Sequence, residues 1–245
     1  MAKTRLFDPE SAAPFALSRS KVELFIDCRR CFYMDRRLGI GRPPGFPFNL
    51  NSAVDELLKR EFDGYRVRGE PHPLMTGAGL NAVPHQHPDL NIWRSNFKGV
   101  RTLHEASGFE LFGAIDDLWR DLDTGKLMVV DYKATSKASD VTLDADWQMG
   151  YKRQMEFYQW LLRQRGFDVS DTGWFVYCNG RRDRDGFDAR LDFKISMLPY
   201  TGNDHWVDEV LVKIRNVLSA DEVPLADDGC DYCGYVASAG AVDPR

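Results

Sequence analysis

The sequence predicts an α/β fold in which a central mixed β-sheet is flanked by helices. Apolar residues recur at helical spacing before residue 67 and again between about residues 147 and 165, whereas short apolar runs typical of strands lie between these segments. The 245 residues are 43% hydrophobic and 12% aromatic, a composition that excludes a wholly disordered chain. We therefore expect one elaborated domain over residues 1–245.

Two helices are predicted in residues 20–67. The first ends near Gly39, because a loop rich in glycine and proline follows over residues 41–47. Ser52 can begin the second helix, in which apolar residues recur every three or four positions. Residues 68–99 contain scattered prolines and glycines and are predicted to be an irregular insert that serves as a lid, a binding loop or a flexible excursion.

The predicted core of the domain lies in residues 100–218, and a cysteine-bearing tail follows in residues 219–245. A tight Asp-Thr-Gly connection at residues 123–125 joins two of the core strands as a hairpin. The amphipathic helix after the hairpin ends at Gly166, a helix breaker. The predicted core elements are strands at 100–106, 109–122, 126–135, 172–178 and 187–197, and helices at about 147–165 and 204–218.

The charge of the chain argues against a protein that holds polyanions by bulk charge alone. It has 32 basic and 37 acidic residues, which gives a net charge of −5 at pH 7. Nucleic acid would therefore have to meet local groups of arginines, although such groups are more often solvated faces. The arginines concerned are Arg29, Arg30, Arg36 and Arg37, or Arg181, Arg182 and Arg184.

Membrane association and secretion are not expected for this chain. No apolar run approaches the ~18 residues of a membrane span, and residues 1–14 lack the apolar segment of a secretory signal. The expected location is the cytoplasm, where paired cysteines indicate a metal site rather than disulfides.

Charged residues interrupt two neighbouring apolar strands of the predicted core. Asp131 and Lys133 are two positions apart in one strand and so share a face, and Asp116 interrupts the preceding strand at what we expect to be the same level. Because a buried carboxylate without a partner is costly, a metal ion or another cation is its expected companion. Two carboxylates and a lysine suit a hard divalent ion such as Mg2+, although an Asp-x-Lys at a strand end, taken alone, is more often an exposed salt bridge.

Three short motifs in series resemble those of the PD-(D/E)XK nuclease superfamily, specifically its RecB-like branch. Each motif alone is weak, but their order and spacing together are specific. The resemblance covers about residues 20–235 and implies a restriction-endonuclease-like PD-(D/E)XK core. The motifs are Gly113-Ala-Ile-Asp116 on one strand, Asp131-Tyr-Lys133 on the next, and Gln154 with Tyr158 on the following helix.

The resemblance implies a role for each charged residue of the motifs. Asp116 and Asp131 are the implied ligands of Mg2+ or Mn2+, and the Tyr132 carbonyl can add a further ligand. Lys133 is implied to orient or deprotonate the attacking water and to stabilise the charge on the phosphoryl group.

Residues on two helices complete the implied site. Gln154 and Tyr158 lie four positions apart, hence on one helical face; in the family such residues support the site and contact the nucleic-acid backbone, and for Tyr158 a polar edge on a core helix is the alternative. The branch usually has a histidine or an acid on its first core helix, where this chain has Asp55. Asp55 is the candidate metal ligand there, with Glu56 as its rival and a solvated helix face as the alternative for both.

Two Cys-x-x-Cys pairs lie near opposite ends of the chain. Four thiolates are the number that a tetrahedral zinc ion or an iron–sulfur cluster needs. The fifth cysteine, Cys178, is expected to be buried in a strand as a small apolar residue. The pairs are Cys28 with Cys31 and Cys230 with Cys233.

The sequence around the cysteine pairs is similar to the clasps of AddB-type nucleases and CRISPR-adaptation exonucleases, which hold an iron–sulfur cluster between one early cysteine and three late ones. This chain has a two-plus-two split instead. The resemblance implies a 4Fe-4S cluster, with Zn2+ as the alternative. Either metal would tie the two ends of the chain together and add to folding stability, and a cluster would colour the protein brown, with absorption near ~400 nm.

The resemblance implies a metal-dependent deoxyribonuclease that hydrolyses phosphodiester bonds in single strands or at duplex ends and leaves 5′-phosphate and 3′-hydroxyl ends. Relatives act in DNA repair, recombination or defence, often beside a helicase, so DNA and a helicase or other repair proteins are the implied partners. Two alternatives stay open from the sequence: a catalytically silent nucleic-acid-binding module of a larger complex, and a nuclease directed at RNA.

Overall fold

The computed structural model describes residues 5–45 and 49–242. Residues 1–4, 46–48 and 243–245 lie outside the described residues. Part of the predicted glycine- and proline-rich loop, residues 46 and 47, is therefore not described. The chain divides into two compact units, and the number of domains stays a prediction. Unit 1 contains the described residues within Met1–Phe46, Thr102–Phe112 and His205–Arg245, and unit 2 contains those within Pro47–Arg101 and Gly113–Asp204.

The strands of the described residues form two sheets. They are β1 (Phe15–Ser18), β2 (Ala82–Pro84), β3 (Val100–His104), β4 (Phe109–Gly113), β5 (Asp117–Asp121), β6 (Leu127–Thr135), β7 (Thr172–Gly180) and β8 (Phe193–Thr201). The smaller sheet has the order β1-β4-β3, and the larger has the order β2-β5-β6-β7-β8. In the larger sheet β6 and β7 run parallel, whereas the other neighbours are antiparallel. The predicted mixed sheet is therefore confirmed.

The helices include most of those that the sequence predicts. They are α1 (Arg19–Asp27), α2 (Arg29–Arg37), α3 (Asn49–Arg68), α4 (Pro73–Gly77), α5 (Leu90–Trp93), α6 (Met149–Gln164), α7 (Trp206–Ser219) and α8 (Asp231–Val242), and a short 3-10 turn, Asp146–Gln148, precedes α6. In the part of the chain that the structure describes, no helix combines the length and the hydrophobicity that crossing a membrane requires.

The central strand β6 separates two helices of unit 2. Val130 and Tyr132 lie on the face of the sheet that packs against Phe62 of α3, within a cluster of buried apolar side chains. Asp131 lies between them and points to the opposite face, because side chains alternate along a strand. There Gln154 of α6 donates a hydrogen bond to its carboxylate. The helices α3 and α6 thus cover opposite faces of β6, as the predicted sheet flanked by helices requires.

The first predicted helix is interrupted at Cys28. The backbone is extended at this residue (φ −165°, ψ 110°), which separates α1 from α2. The Cys28 side chain accepts a hydrogen bond from the Cys31 amide and so acts as the N-cap of α2. The prediction of one uninterrupted helix is wrong, because helical periodicity does not reveal a single residue that leaves the helix to cap the next one.

The predicted strand over residues 109–122 is two strands, β4 and β5, which belong to different sheets. The chain turns between them at residues 114–116. In this corner the backbone carbonyl of Asp116 accepts a hydrogen bond from Arg94 Nε (2.9 Å). At this corner such hydrogen bonds take the place of pairing with a neighbouring strand. Apolar periodicity alone does not reveal that the strand is interrupted here. Asp116 consequently lies where β5 begins, beside β6.

The insert predicted over residues 68–99 contains short ordered elements. It includes α4, β2 and α5, and β2 pairs with β5 at the edge of the larger sheet. His72 caps α4 through its ring nitrogen, and its ring stacks on Phe62 with 4.1 Å between the centroids. Packing of this kind orders segments that are too short to show a periodic pattern, which is why the sequence did not predict them.

A buried aspartate holds the corner before β5. Asp117 has no exposed surface, and its carboxylate forms ion pairs with Arg66 of α3 and with Arg94. The Tyr132 hydroxyl donates a hydrogen bond to the second carboxylate oxygen (2.7 Å). Burial and the adjacent Asp117 charge raise the pKa of this phenol well above its usual range, so that it remains a donor. One network therefore joins α3, the corner and β6.

We predict that Arg94→Met lowers the free energy of unfolding by about 3 kcal/mol, because it leaves the buried Asp117 carboxylate with Arg66 as its only arginine partner. Urea unfolding followed by circular dichroism measures this change. The matched control is Arg60→Met, since the Arg60–Glu56 ion pair on α3 is exposed and its loss should cost less than about 0.5 kcal/mol. Equal effects of the two substitutions would contradict the assigned role of the network.

Candidate active site and cysteine cluster

Four of the predicted site residues meet where β6 faces α6. Asp131 is fully buried, and the Lys133 ammonium lies 2.5 Å from its Oδ2. Gln154 Nε2 donates hydrogen bonds to Asp131 Oδ1 (2.9 Å) and to the Tyr158 hydroxyl (3.2 Å). The period of two along β6 and the spacing of four along α6 thus bring together the residues that the sequence predicts to be neighbours.

The other two predicted acids, Asp55 and Asp116, are joined by a lysine. Lys59 Nζ is 2.7 Å from Asp55 Oδ2 and 3.2 Å from Asp116 Oδ1. The second Asp116 oxygen accepts a hydrogen bond from the backbone amide of Tyr132 (3.0 Å), the residue after Asp131. Asp116 is therefore fixed at the level of Asp131, while Lys59 links it to α3.

The charges in this region stabilise one another. Burial alone would lower the pKa of the Lys133 ammonium, but the carboxylates of Asp131 and Asp116 raise it overall. The pKa of Lys59 is raised in the same way, with Asp116 and Asp55 outweighing burial. Burial, together with the Asp116 charge, raises the pKa of the Asp55 carboxyl, which indicates that this group sits in a place that favours an additional cation.

The chemistry of this donor set suits a hard divalent cation, and among the described residues its three carboxylates are not all within 4.8 Å of one another. All of its ligand atoms are carboxylate oxygens, which Mg2+ and Mn2+ prefer. Asp55 Oδ1 is buried and has no hydrogen-bond partner among residues 5–45 and 49–242, so a ligand position stands open there. Glu56, the rival of Asp55, is exposed and pairs with Arg60 at the surface (3.5 Å). Of the two candidate metal ligands on α3, Asp55 and Glu56, only Asp55 thus lies at the site.

Gly113 of the first motif is required by a close approach to Tyr158. A Cβ atom at this position would lie 2.6 Å from Tyr158 Cε1, too close for the ring to keep its place. The glycine therefore lets the tyrosine pack over the end of β4 with its hydroxyl next to Gln154. This explains a glycine three positions before Asp116 in terms of packing.

Two residues at this site were not predicted from the sequence. Lys59 follows Asp55 by four positions on α3, a spacing that favours an ion pair and was a signal available in the sequence. Tyr151 of α6 lies with its ring centroid 4.4 Å from Lys133 Nζ. No sequence signal marks Tyr151, because its role depends on how α6 packs against β6.

Most of the arginines considered for nucleic-acid contact are ion-paired with acids. Such pairs neutralise the positive charge that a phosphate would need to meet, so nucleic-acid binding has to rely on other groups. The pairs are Arg29 with Asp227, Arg36 with Asp35, Arg181 with Asp183, and Arg184 with Asp192.

The four cysteines of the two predicted pairs lie together in unit 1. Their sulfur atoms are all within 4.8 Å of one another, and in the described part of the chain they form the only such group of three or more histidine, cysteine, aspartate or glutamate side chains. Cys31 Sγ is 3.7 Å from Cys230 Sγ and 3.6 Å from Cys233 Sγ, and Cys28 Sγ is 3.8 Å from Cys233 Sγ. A metal ion can be held by this group.

Helix ends and one arginine favour thiolates in this cluster. Cys28 and Cys230 directly precede α2 and α8, so both helix N-termini, with their positive dipole ends, lie at the sulfur atoms. Arg42 Nη2 lies 3.5 Å from Cys230 Sγ. Burial acts to raise the pKa of the Cys28 thiol, but backbone hydrogen bonds and the neighbouring thiols lower it to about 7. Burial and its thiol neighbours raise the pKa of Cys233 to about 12, so a cation is needed to hold all four as thiolates.

Cys178 is separate from the metal cluster. It is buried in the apolar core of unit 2 on β7, as predicted. Burial raises the pKa of its thiol to about 11, which makes it an inert apolar residue rather than a ligand.

The fold and the site together define a class of protein: a mixed sheet flanked by helices that presents an aspartate and an Asp-x-Lys from adjacent strands. A family model described as the PD-(D/E)XK nuclease superfamily matches residues 49–238. Because the match covers more than three quarters of the 245 residues, the chain belongs to the PD-(D/E)XK nuclease superfamily. The predicted superfamily and fold class are thereby confirmed. A comparison with curated proteins gave no match.

We predict that Gly113→Ala lowers the free energy of unfolding by about 1–3 kcal/mol, because the added methyl group displaces Tyr158. The control is Gly64→Ala on α3, where the new methyl group would lie 3.6 Å from the flexible Arg68 side chain and should stabilise the helix by about 0.5–1 kcal/mol. Urea unfolding measures both changes. Combining Gly113→Ala with Tyr158→Ala should cost less than the sum of the two single changes, and a strictly additive result would contradict the proposed clash.

Proposed function

We propose that this protein is a metal-dependent nuclease that hydrolyses phosphodiester bonds of DNA. The observation that carries the proposal is the Asp131–Lys133 ion pair on one face of β6, contacted by Gln154 and set beside Asp116. Membership of a nuclease superfamily supplies the general reaction class. The proposal adds the substrate, the metal and the residues that act.

Asp116 and Asp131 would hold one Mg2+ or Mn2+ ion, with Asp55 as a further ligand and the Tyr132 carbonyl within the same stretch of β6. When bound, such an ion activates water and neutralises charge on a phosphoryl group. Lys59 and Lys133 pair with these carboxylates. Their ammonium groups indicate that positive charge is stabilised where the metal ion would bind. The unpartnered buried oxygen of Asp55 supports its inclusion among the ligands.

The protein's own residues would position the reactants. Lys133, held between Asp131 and the Tyr151 ring, would donate hydrogen bonds to the attacking water and to a phosphoryl oxygen, which stabilises charge as it develops. Gln154 would keep the Asp131 carboxylate in one orientation, and Tyr158 would orient Gln154 in turn. In-line attack of water would then leave 5′-phosphate and 3′-hydroxyl ends.

We further propose that the chain belongs to the RecB-like branch and acts on single strands or duplex ends in repair, recombination or defence, in the cytoplasm and beside a helicase or other repair proteins. The Gln154-x-x-x-Tyr158 pair at the site supports this branch. The matched region also reaches the second cysteine pair, Cys230 and Cys233.

For the cysteine cluster we propose one structural Zn2+ ion rather than the 4Fe-4S cluster that the branch suggests. Around a single tetrahedral ion with zinc–sulfur bonds of about 2.3 Å, the sulfur atoms lie about 3.8 Å apart. The distances from the Cys31 and Cys28 sulfur atoms to the sulfur atoms of Cys230 and Cys233, 3.6–3.8 Å, agree with this value. A four-iron cube places each cysteine on a different corner and would need the sulfur atoms to move well apart.

We predict that the wild-type protein cleaves 5′-labelled DNA with Mg2+ or Mn2+ and not with a chelator, and that Asp131→Asn and Lys133→Met each reduce the rate at least about 100-fold. Single-turnover assays on single-stranded DNA, duplex DNA and RNA measure this. Asp55→Asn should also impair cleavage, whereas its neighbour Glu56→Gln, which alters an exposed carboxylate, should leave the rate unchanged.

Three outcomes of this assay would oppose the proposal. Tight binding by the wild type without cleavage under any metal would favour a catalytically silent binding module. Cleavage of RNA in preference to DNA would transfer the substrate assignment to RNA. Unimpaired cleavage by Asp131→Asn would remove the proposed site altogether.

We predict that the purified protein is colourless and contains one zinc ion per chain, measured by inductively coupled plasma mass spectrometry. Cys31→Ser should lose the metal and lower the midpoint of thermal unfolding, because metal binding adds to folding stability. Cys178→Ser, outside the cluster, should keep the zinc. A brown protein with about four irons per chain, purified without oxygen, would show that the cluster forms instead.

A further inference from the structure

An exposed tryptophan lies one aromatic ring away from Lys133, the lysine of the proposed active site. Trp147 lies in the short turn before α6 with 57% of its surface exposed. Its ring centroid is 5.5 Å from that of Tyr151, whose own ring lies 4.4 Å from the ammonium of Lys133. Lys137 Nζ is 4.8 Å from the centre of the Trp147 ring. The rings of Tyr151 and Trp147 therefore lie between the ammonium groups of Lys133 and Lys137.

Hydrogen bonds of the neighbouring residue fix the turn that carries Trp147. The next residue, Gln148, is buried, and its side chain donates hydrogen bonds to the Thr142 carbonyl (2.5 Å) and to the Tyr177 hydroxyl (3.3 Å). The Ala145 amide donates to the Gln148 side chain as well (3.0 Å). A large apolar ring is thus kept at the surface by polar contacts of its neighbour rather than by burial of its own.

The segment that carries Lys137 is fixed in the same way. Asn179 of β7 accepts a hydrogen bond from the Lys137 amide (2.7 Å) and donates one to its carbonyl (3.1 Å). Beyond it lies an open cavity of about 710 Å3. Two of its basic side chains pair with acids of the same lining, Arg181 with Asp183 and Lys194 with Asp140. Lys137 and Arg182 line the cavity as well.

We propose that Trp147 is a stacking platform for a base of a single-stranded nucleic acid, next to the phosphate that is cleaved at Asp131 and Lys133. This inference rests on the proposed function and narrows its substrate to unpaired strands. Bases stack on exposed aromatic rings only when they are not paired, whereas a duplex hides the faces of its bases. The Lys137 ammonium lies over one face of the same ring, 4.8 Å from its centre, and is placed to meet a neighbouring phosphate.

The test is binding without cleavage. A fluorescein-labelled 12-nucleotide thymidine strand is titrated with the 245-residue chain in a buffer without Mg2+ or Mn2+, which leaves metal at the cysteine cluster in place, and its anisotropy is followed. Trp147→Ala should weaken binding by about 10- to 100-fold, and Trp147→Phe, which keeps an aromatic face, should stay within about threefold of wild type. Affinity for a blunt duplex should change little. Phe97→Ala, which removes a ring that is 90% exposed, is the matched control and should have no effect.

The outcomes separate this inference from the proposed function. Equal binding by the wild type and Trp147→Ala, or loss of duplex and single-strand affinity alike, would overturn the stacking platform even if cleavage is present. Loss of single-strand affinity in Trp147→Ala, with Trp147→Phe and Phe97→Ala unaffected, supports the platform even if the wild type cleaves nothing. If Trp147→Ala leaves the single-turnover cleavage rate at saturating protein unchanged, Trp147 acts in binding of the strand and not in the cleavage step.

Discussion

Burial of one carboxylate, Asp117, is the constraint on which the site depends. A fully buried charge is tolerated only when nearby donors surround it, and here two arginines and the Tyr132 phenol do so. These donors come from α3, from the segment after α5 and from β6. Satisfying Asp117 therefore fixes three separate parts of unit 2 against the corner at which Asp116 stands. The position of Asp116 thus follows from the hydrogen bonds and ion pairs that its buried neighbour requires.

The site is a set of acids whose charges are balanced by ammonium groups. Lys59 bridges Asp55 and Asp116, and Lys133 pairs with Asp131. A cation that enters would compete with these lysines, so binding and rearrangement of the lysines are coupled. Lys133 also contacts the Tyr151 ring. This second contact can keep the lysine at the site when a cation displaces its ion pair with Asp131. The same arrangement explains why this acidic cluster is stable in a buried place.

The sequence predicted the parts of the site that follow from regular periodicity. Asp131 and Lys133 share a face because strands have a period of two, and Gln154 meets Tyr158 because helices return every four residues. The sequence could not predict the break at Cys28, because helical periodicity does not mark a residue whose side chain caps the next helix. The division of residues 109–122 between two sheets depends on a hydrogen bond from the distant Arg94. Burial of Asp117 likewise depends on partners that lie far along the chain.

The cysteine cluster joins segments that are synthesised at very different times. Cys28 and Cys31 leave the ribosome early, whereas Cys230 and Cys233 follow about two hundred residues later. Unit 1 is assembled from three stretches of chain, of which the last begins at His205. The cluster therefore cannot form during translation until Cys230 and Cys233 have emerged. During that interval Cys28 and Cys31 lack their partner thiols, and free thiols are the form of cysteine that oxidation attacks.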